Sequence, residues 1–450
     1  MPVSSISAFA RRVSVFMVAA LCISMVAGCA SRQTVLLIQQ DLTDREPQQA
    51  LQRLEKTPVR NTDKVLYRLN EGMLLHLAGR WADSNAAFEA AQRLMEQLAA
   101  LSIREQGTSL LVNDYTRSYE GEPYDKVMLH VYKALNYLAL QQPFDARVEA
   151  LQLDLQLRSL AEDAGDRDPD LGFGRYLSGM IYEDLGEWSD AMIAYRKAYE
   201  AYQNHRKDYG VAVPDALKKD LIRLARKEGL RDELEKYQKE FAVTVDAGPP
   251  PGSPGSDHGE LVWVFSDGLA PYKREHSVFL ADPDPNKNRL IRVSLPYLQR
   301  RPPQVAEARL SVAGKTVTTQ VVEDISAVAF ADLEDRMPAI TARSLARVIA
   351  KKKMEDNAGR DNPLAGALLN VAAVLTEEAD TRSWNTLPNN IQLARLPLAP
   401  GRYSLEIELL DAGGRIVTTQ TLSDIVIRPE RKTFISYYWS ATLPSPLGAH

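Results

Sequence analysis

The sequence runs to 450 residues, 45% hydrophobic and 25% charged, with a net charge of −5. That length allows two or three domains at about 150 residues each, the average composition excludes wholesale disorder, and the acidic balance gives no electrostatic case for nucleic acid. Two cysteines are too few for a thiolate zinc site or a disulfide framework, and the one apolar stretch long enough to concern a membrane lies at the extreme N-terminus, which excludes a polytopic fold.

Residues 1–28 hold Arg11 and Arg12, no acid, and then an apolar run from Val13 to Val26. A charged segment followed by a greasy one is the pattern of a secretory signal. The run ends in Val26-Ala27-Gly28-Cys29, which resembles the lipobox of bacterial lipoproteins. The resemblance implies that the Cys29 thiol takes a diacylglycerol, with cleavage between Gly28 and Cys29. Cys22 leaves with the signal, so the mature chain would have no disulfide. Loss of Arg11 and Arg12 makes the body more acidic still, with no electrostatic reason to lie flat on anionic lipid. Ala30 stands where retention at the inner membrane would call for aspartate, so the resemblance implies the outer membrane, periplasmic face.

Residues 29–246 are predicted to be helical. Gly72, Gly79, Trp81, Asp83, Phe88 and Ala91 are matched in order by Gly179, Gly186, Trp188, Asp190, Tyr195 and Ala198 at one constant offset. This resembles the tetratricopeptide repeat, a helix–turn–helix unit of about 34 residues. Gly72 and Gly179 let the paired helices approach, Phe88 and Tyr195 fill the groove, and Gly79 and Gly186 permit the turns. A weaker unit runs through Ala134, Tyr137, Asp145, Ala146 and Ala150, and a last pair turns at Gly229. A superhelix of this kind is expected to offer a concave surface to a protein partner.

Residues 247–259 are rich in proline and glycine and read as a linker. Proteolysis there should release two independently folding units. From 260 to 440 strand signals dominate: Leu261–Phe265, a hairpin of 308–312 and 316–322 about Gly314-Lys315, the alternating 402–409 and 415–422 about Asp411–Gly414, and a last strand at 434–439. A helical insert at about 324–379 includes an apolar run, Leu364 to Leu375, too short to span a bilayer. The fold class expected is multidomain: a helical superhelix, then a β-sandwich-like domain carrying a helical insert, with a flexible tail at 441–450.

Several apparent motifs fail on context. Gly314-Lys315-Thr316 has Arg309 where a phosphate-binding loop needs its first glycine. The acidic loops Asp166–Asp170 and Asp282–Asn286 lack the glycine of a calcium loop. None of the six histidines lies within four residues of another, so no histidine metal cluster is written in the chain. No cofactor is expected. Arg343, Arg347 and Lys351 form a basic stripe on one helix face, either a solvated face or a grip for an acidic partner. Asp380, Arg382 and Trp384 look placed for a buried polar network at the return from the insert to the sheet.

Around those residues, at Val264–Lys273 and in the alanine-rich repeats, the chain resembles a family of poorly characterised proteobacterial lipoproteins. Members are often encoded beside lipoproteins resembling the outer-membrane activator of penicillin-binding proteins, which implies cell-envelope work. The expectation is a non-enzymatic, lipid-anchored scaffold or adaptor binding envelope proteins, with Arg382, Trp384, Arg343, Arg347 and Lys351 as interaction residues. The alternative is an envelope hydrolase or polysaccharide-binding protein with its site near Asp380, Arg382 and Trp384.

Overall fold

A computed structural model describes residues 34–104, 117–164, 170–242, 257–281, 290–361, 370 and 377–442. The signal, Cys29, most of the linker, nearly all of the 364–375 run, residues 443–450 of the tail and both acidic loops save Asp170 lie outside the described residues.

The helical region opens with α1 (34–43) and α2 (Pro47–Glu55). Helix hairpins follow: α3 (Lys64–Leu77) with α4 (Trp81–Arg104), α5 (Pro123–Ala139) with α6 (Pro143–Ala164), and α7 (Gly172–Asp184) with α8 (Trp188–Asn204). After the short α9 (Arg206–Tyr209), α10 (Asp215–Lys227) pairs with α11 (Arg231–Phe241). The paired glycines mark the closest approaches. A Cβ on Gly72 would stand 2.5 Å from the Phe88 ring, and one on Gly179 would stand 2.3 Å from the Tyr195 ring. Both rings are fully buried, so aromatic bulk on one helix is seated where the other has no side chain. Gly79 and Gly186 take φ of +73° and +76°, the left-handed step that ends a helix without a Cβ penalty. The α5–α6 turn makes that step with Gln141, φ 60°.

The β region holds three sheets. One has the order β10 (Lys432–Trp439), β1 (Gly259–Asp267), β7 (Asn390–Leu398), β6 (Gln320–Glu323). A second runs β5 (Lys315–Thr318), β4 (Glu307–Val312), β8 (Gly401–Leu410), β9 (Ile416–Ile427). β2 (Tyr272–Ala281) and β3 (Leu290–Gln299) form a separate hairpin. The two four-stranded sheets pack face to face over Leu261, Trp263, Phe265, Leu310, Leu396 and Ile407, among others. That is a sandwich, and α12 (Ile325–Asp361) is its helical insert. The expected single strand at 316–322 is two. Thr319 leaves β5 in one sheet and sends β6 to the other, its N–H donating to the Ala308 carbonyl (2.8 Å) and its hydroxyl to Gln392 Oε1 (2.5 Å).

Every residue of β1 is buried, because the first sheet is covered on both sides. Its second face, with Val262, Val264, Ile391 and Leu393, shares a core with Tyr132, Tyr176 and Phe88 of the helices. Strands buried on both faces read as continuous apolar runs, as Leu261–Phe265 does. The layers are therefore helices, sheet, sheet.

The regions on either side of the linker pack on each other. Besides that shared core, three carboxylates and three cations meet at the seam. Arg395 of β7 donates to Glu260 of β1 at 2.8 Å and bonds Asp220 of α10 and the Tyr176 hydroxyl. Lys432 of β10 reaches Glu260 (2.7 Å) and Glu183 of α7 (3.5 Å). Arg223 closes the group onto Glu183 (2.8 Å) and Asp220 (2.6 Å). Burial opposes the charge on Glu183, but Arg223 and Lys432 overcome it and hold the carboxyl down at about 2. Removing one member of such a group leaves a net buried charge uncompensated, at a cost of up to about 3–5 kcal/mol. His76 adds a neutral link, bonded to Asn136 of α5 (2.6 Å) and Ser436 of β10 (3.1 Å). Burial pushes its pKa down to about 4.

The inner helices α3, α5 and α7 are thus committed to contacts with the chain's own strands.

Candidate functional site

Four segments enclose a cavity of about 220 Å³: the loop 117–122, the β2–β3 hairpin, one face of α12, and the return segment 378–382. Helix α12 supplies Arg336, Ile340, Arg343, Ser344 and Arg347, spaced by four, three, one and three residues as a single helical face requires. The loop enters α5 through a capping box, the Asp125 carboxylate accepting from the Glu122 N–H at 3.0 Å. Just before it Gly121 takes φ +79°, and a Cβ there would stand 2.8 Å from Met95 Cε.

Two buried carboxylates at the cavity, Glu122 in its wall and Glu377 beside it, each serve two cations. Glu122 accepts from both Lys273 of β2 and Arg336 of α12. Burial works against its charge, and those two cations keep its pKa below the ordinary glutamate value. Glu377, almost wholly buried, accepts from Arg347 at 2.9 Å and Lys351 at 2.7 Å. Burial and the neighbouring Glu122 push Asp125 up to about 7, while the Tyr119 hydroxyl donates to it at 2.6 Å.

Arg382 is fixed from every side. Its Nε and Nη2 grip the two oxygens of Asp380 at 2.9 and 2.7 Å. Nη1 donates to Asp63 (3.1 Å) and to the carbonyls of Thr62 (3.2 Å) and Arg117 (2.9 Å). The guanidinium carbon lies 5.5 Å from the Tyr119 ring centre.

Of the residues singled out in the sequence, Arg343, Arg347, Asp380 and Arg382 come together here. Lys351 stands one turn beyond, sharing Glu377 with Arg347. Trp384 does not belong to the cavity. It is buried among the helices, edge-on to Phe88 at 5.6 Å and Tyr132 at 6.5 Å, with Nε1 donating to Thr386 (3.0 Å). An indole surrounded by rings is core, not a platform for a ligand. The basic stripe is likewise divided: Arg347 is buried, Arg343 exposed.

Arg117, Glu122, Lys273 and Arg336 carry no motif, and the sequence reading passes over them. Arg336 stands seven residues before Arg343, so extending the basic stripe backward would have found it. Arg117 and Glu122 precede a helix in an unremarkable loop and have no such signal.

Among the described residues no three His, Cys, Asp or Glu side chains are grouped to hold a metal ion, and no histidine or cysteine lines the cavity. The chemistry on offer is recognition of negative charge by guanidinium groups. No helix among the described residues is long and apolar enough to cross a membrane.

Comparison with known proteins places the chain in no family: no family model and no curated protein matches it. Among solved structures it is similar to one titled MamA RS-1 ArsTM double mutant, with 14% identity and a TM-score of 0.30 over 47% of this chain and 90% of that one. A likeness so slight bears on neither fold nor function.

Proposed function

We propose that this chain is a lipid-anchored envelope scaffold or adaptor, held at the periplasmic face of the outer membrane through Cys29, and that it acts by binding rather than by catalysis. In this reading the helix hairpins are tetratricopeptide-like units whose inner face carries the chain's own sandwich, and the partner is met elsewhere. The observation that carries the binding reading is the state of Asp380, Glu122 and Glu377. A hydrolase working at Asp380 and Arg382 needs a carboxylate free to accept or deliver a proton. Both Asp380 oxygens are instead gripped by Arg382, and Glu122 and Glu377 are each held between two cations.

The anchor and the binding surface are tested separately. Cys29→Ser should accumulate as uncleaved precursor without labelled palmitate, and normal size with unchanged outer-membrane fractionation would defeat the anchor. A photo-crosslinking residue at position 343 should give discrete adducts in intact cells, whereas one at the exposed Ile416 of β9 should not. Equal labelling from both positions would count against a partner at the cavity.

A further inference from the structure

We infer that the cavity between the loop 117–122 and α12 is a binding site for a single phosphate group carried on a small stem. This does not rest on the lipid anchor or on the adaptor reading. One end of the floor is positive, because Arg347 and Lys351 share the single carboxylate of Glu377, while Lys273 and Arg336 are balanced by Glu122 and Asp332. Two further arginines reach the cavity from different walls, Arg117 from the loop and Arg343 from α12. Both are exposed, and neither side chain is ion-paired to another described residue. The pinned Arg382 closes a third side, and its hold on the Arg117 carbonyl at 2.9 Å fixes the loop that carries Arg117.

The arrangement selects among anions. A planar carboxylate is satisfied by one guanidinium fork, whereas a tetrahedral dianion accepts donors arriving from several directions. A volume of about 220 Å³ holds about seven waters at ~30 Å³ each, which is room for a phosphate and a few atoms of what bears it. Glu120 and Glu378, exposed where the cavity opens, repel a second negative charge. That disfavours a polyanion and favours one isolated phosphate. The shared chemistry is met both in a lipid headgroup and in a soluble phosphate ester, and the experiment separates them.

The full chain in neutral detergent is titrated calorimetrically with glycerol phosphate, inorganic phosphate and succinate. Saturable binding of the two phosphates is expected, weakened as salt screens the charges, with succinate at least about tenfold weaker. Arg117→Ala and Arg343→Ala should each lower the affinity by about tenfold and together abolish it, with unfolding curves unchanged because both side chains are exposed. Arg343→Lys, which keeps the charge but not the fork, should fall between. Vesicles containing phosphatidylglycerol, against phosphatidylcholine alone, identify the source: retention on the anionic vesicles that glycerol phosphate competes away points to a headgroup, and phosphate binding without retention points to a soluble ester. No saturable phosphate binding, equal binding by the double variant, or succinate binding as tightly as phosphate would each overturn the proposal.

Discussion

Gly179→Ala tests the closeness of the α7–α8 hairpin, and the structure allows its cost to be worked out. The added methyl would sit 2.3 Å from two carbons of the Tyr195 ring, where ordinary carbon contacts are about 3.5–4.0 Å. The ring must give way by more than an ångström, and it is not free to do so. Its hydroxyl donates to Glu183 at 2.5 Å, and its edge meets the Tyr176 ring at 5.5 Å. Overpacking of this kind costs about 1–3 kcal/mol, and a strained bond to a charged partner adds about 1.5–3. Better helix propensity returns about 0.5–1. The net expectation is a loss of about 2–5 kcal/mol. Gly79→Ala is the contrast: open space surrounds that position, and only the positive φ is penalised, by about 1–2 kcal/mol. Urea unfolding followed by tryptophan fluorescence measures both. In a Tyr195→Leu background the ring is gone, and Gly179→Ala should then cost less than about 1 kcal/mol, a coupling within the range seen for touching residues. If Gly179→Ala lies within about 0.5 kcal/mol of wild type, the helices do not come this close and the glycine–aromatic account fails.

Two other predictions concern the seam and the buried acids. A protease site inserted between Asp246 and Gly259 should give a nicked protein whose halves still co-elute, and Arg395→Met should loosen them; separation of the nicked wild-type halves would refute the shared core. Asp267 is wholly buried, its Oδ1 has no hydrogen-bond partner among the described residues, and burial pushes its pKa up to about 8 against the partial help of Asn390. A raised folded pKa contributes stability that is full below the unfolded value of about 3.9 and is lost as pH rises through 8, at up to ~1.4 kcal/mol per unit. Thermal stability should therefore decline from pH 5 to pH 8, the more so because burial also raises Glu323 to about 8. Asp267→Asn should flatten that decline, and an identical slope in the variant would rule Asp267 out as its source.

What could be read from the chain, and what could not, follows the distance over which each contact acts. The glycine–aromatic pairs were legible because both members lie within one hairpin and leave a fixed spacing. The strands of β8 and β9 were legible because one face is wet and the alternation survives. The β2–β3 hairpin was not. Lys273, Arg274, Glu275 and His276 in succession show no apolar alternation, and Pro296 breaks the pattern of β3. β7 was hidden because Gln392 and Arg395 stand in a strand buried for most of its length; Arg395 is satisfied by Asp220, far away in sequence. The site was half legible for the same reason. Its α12 and 380–382 residues form local patterns, but nothing local ties them to Arg117, Glu122 or Lys273. Trp384, conspicuous in composition, proved to be core.

The parallel pairing of β1 with β10, from Glu260 beside Lys432 to Asp267 beside Trp439, bears on the order of assembly. Strand β1 cannot gain its neighbour β10 until every residue between the two has been made. Until then Lys432 is missing from the Glu183–Glu260 group, and the inner faces of α5 and α7 lack some of their cover. Pairings of such long separation are slow to close, and the waiting apolar surface is open to misassembly. A chain synthesised N-terminus first would thus have its helices formed early and its body locked last. A chain lacking β10 would leave one edge of β1 unpaired and Glu260 without Lys432.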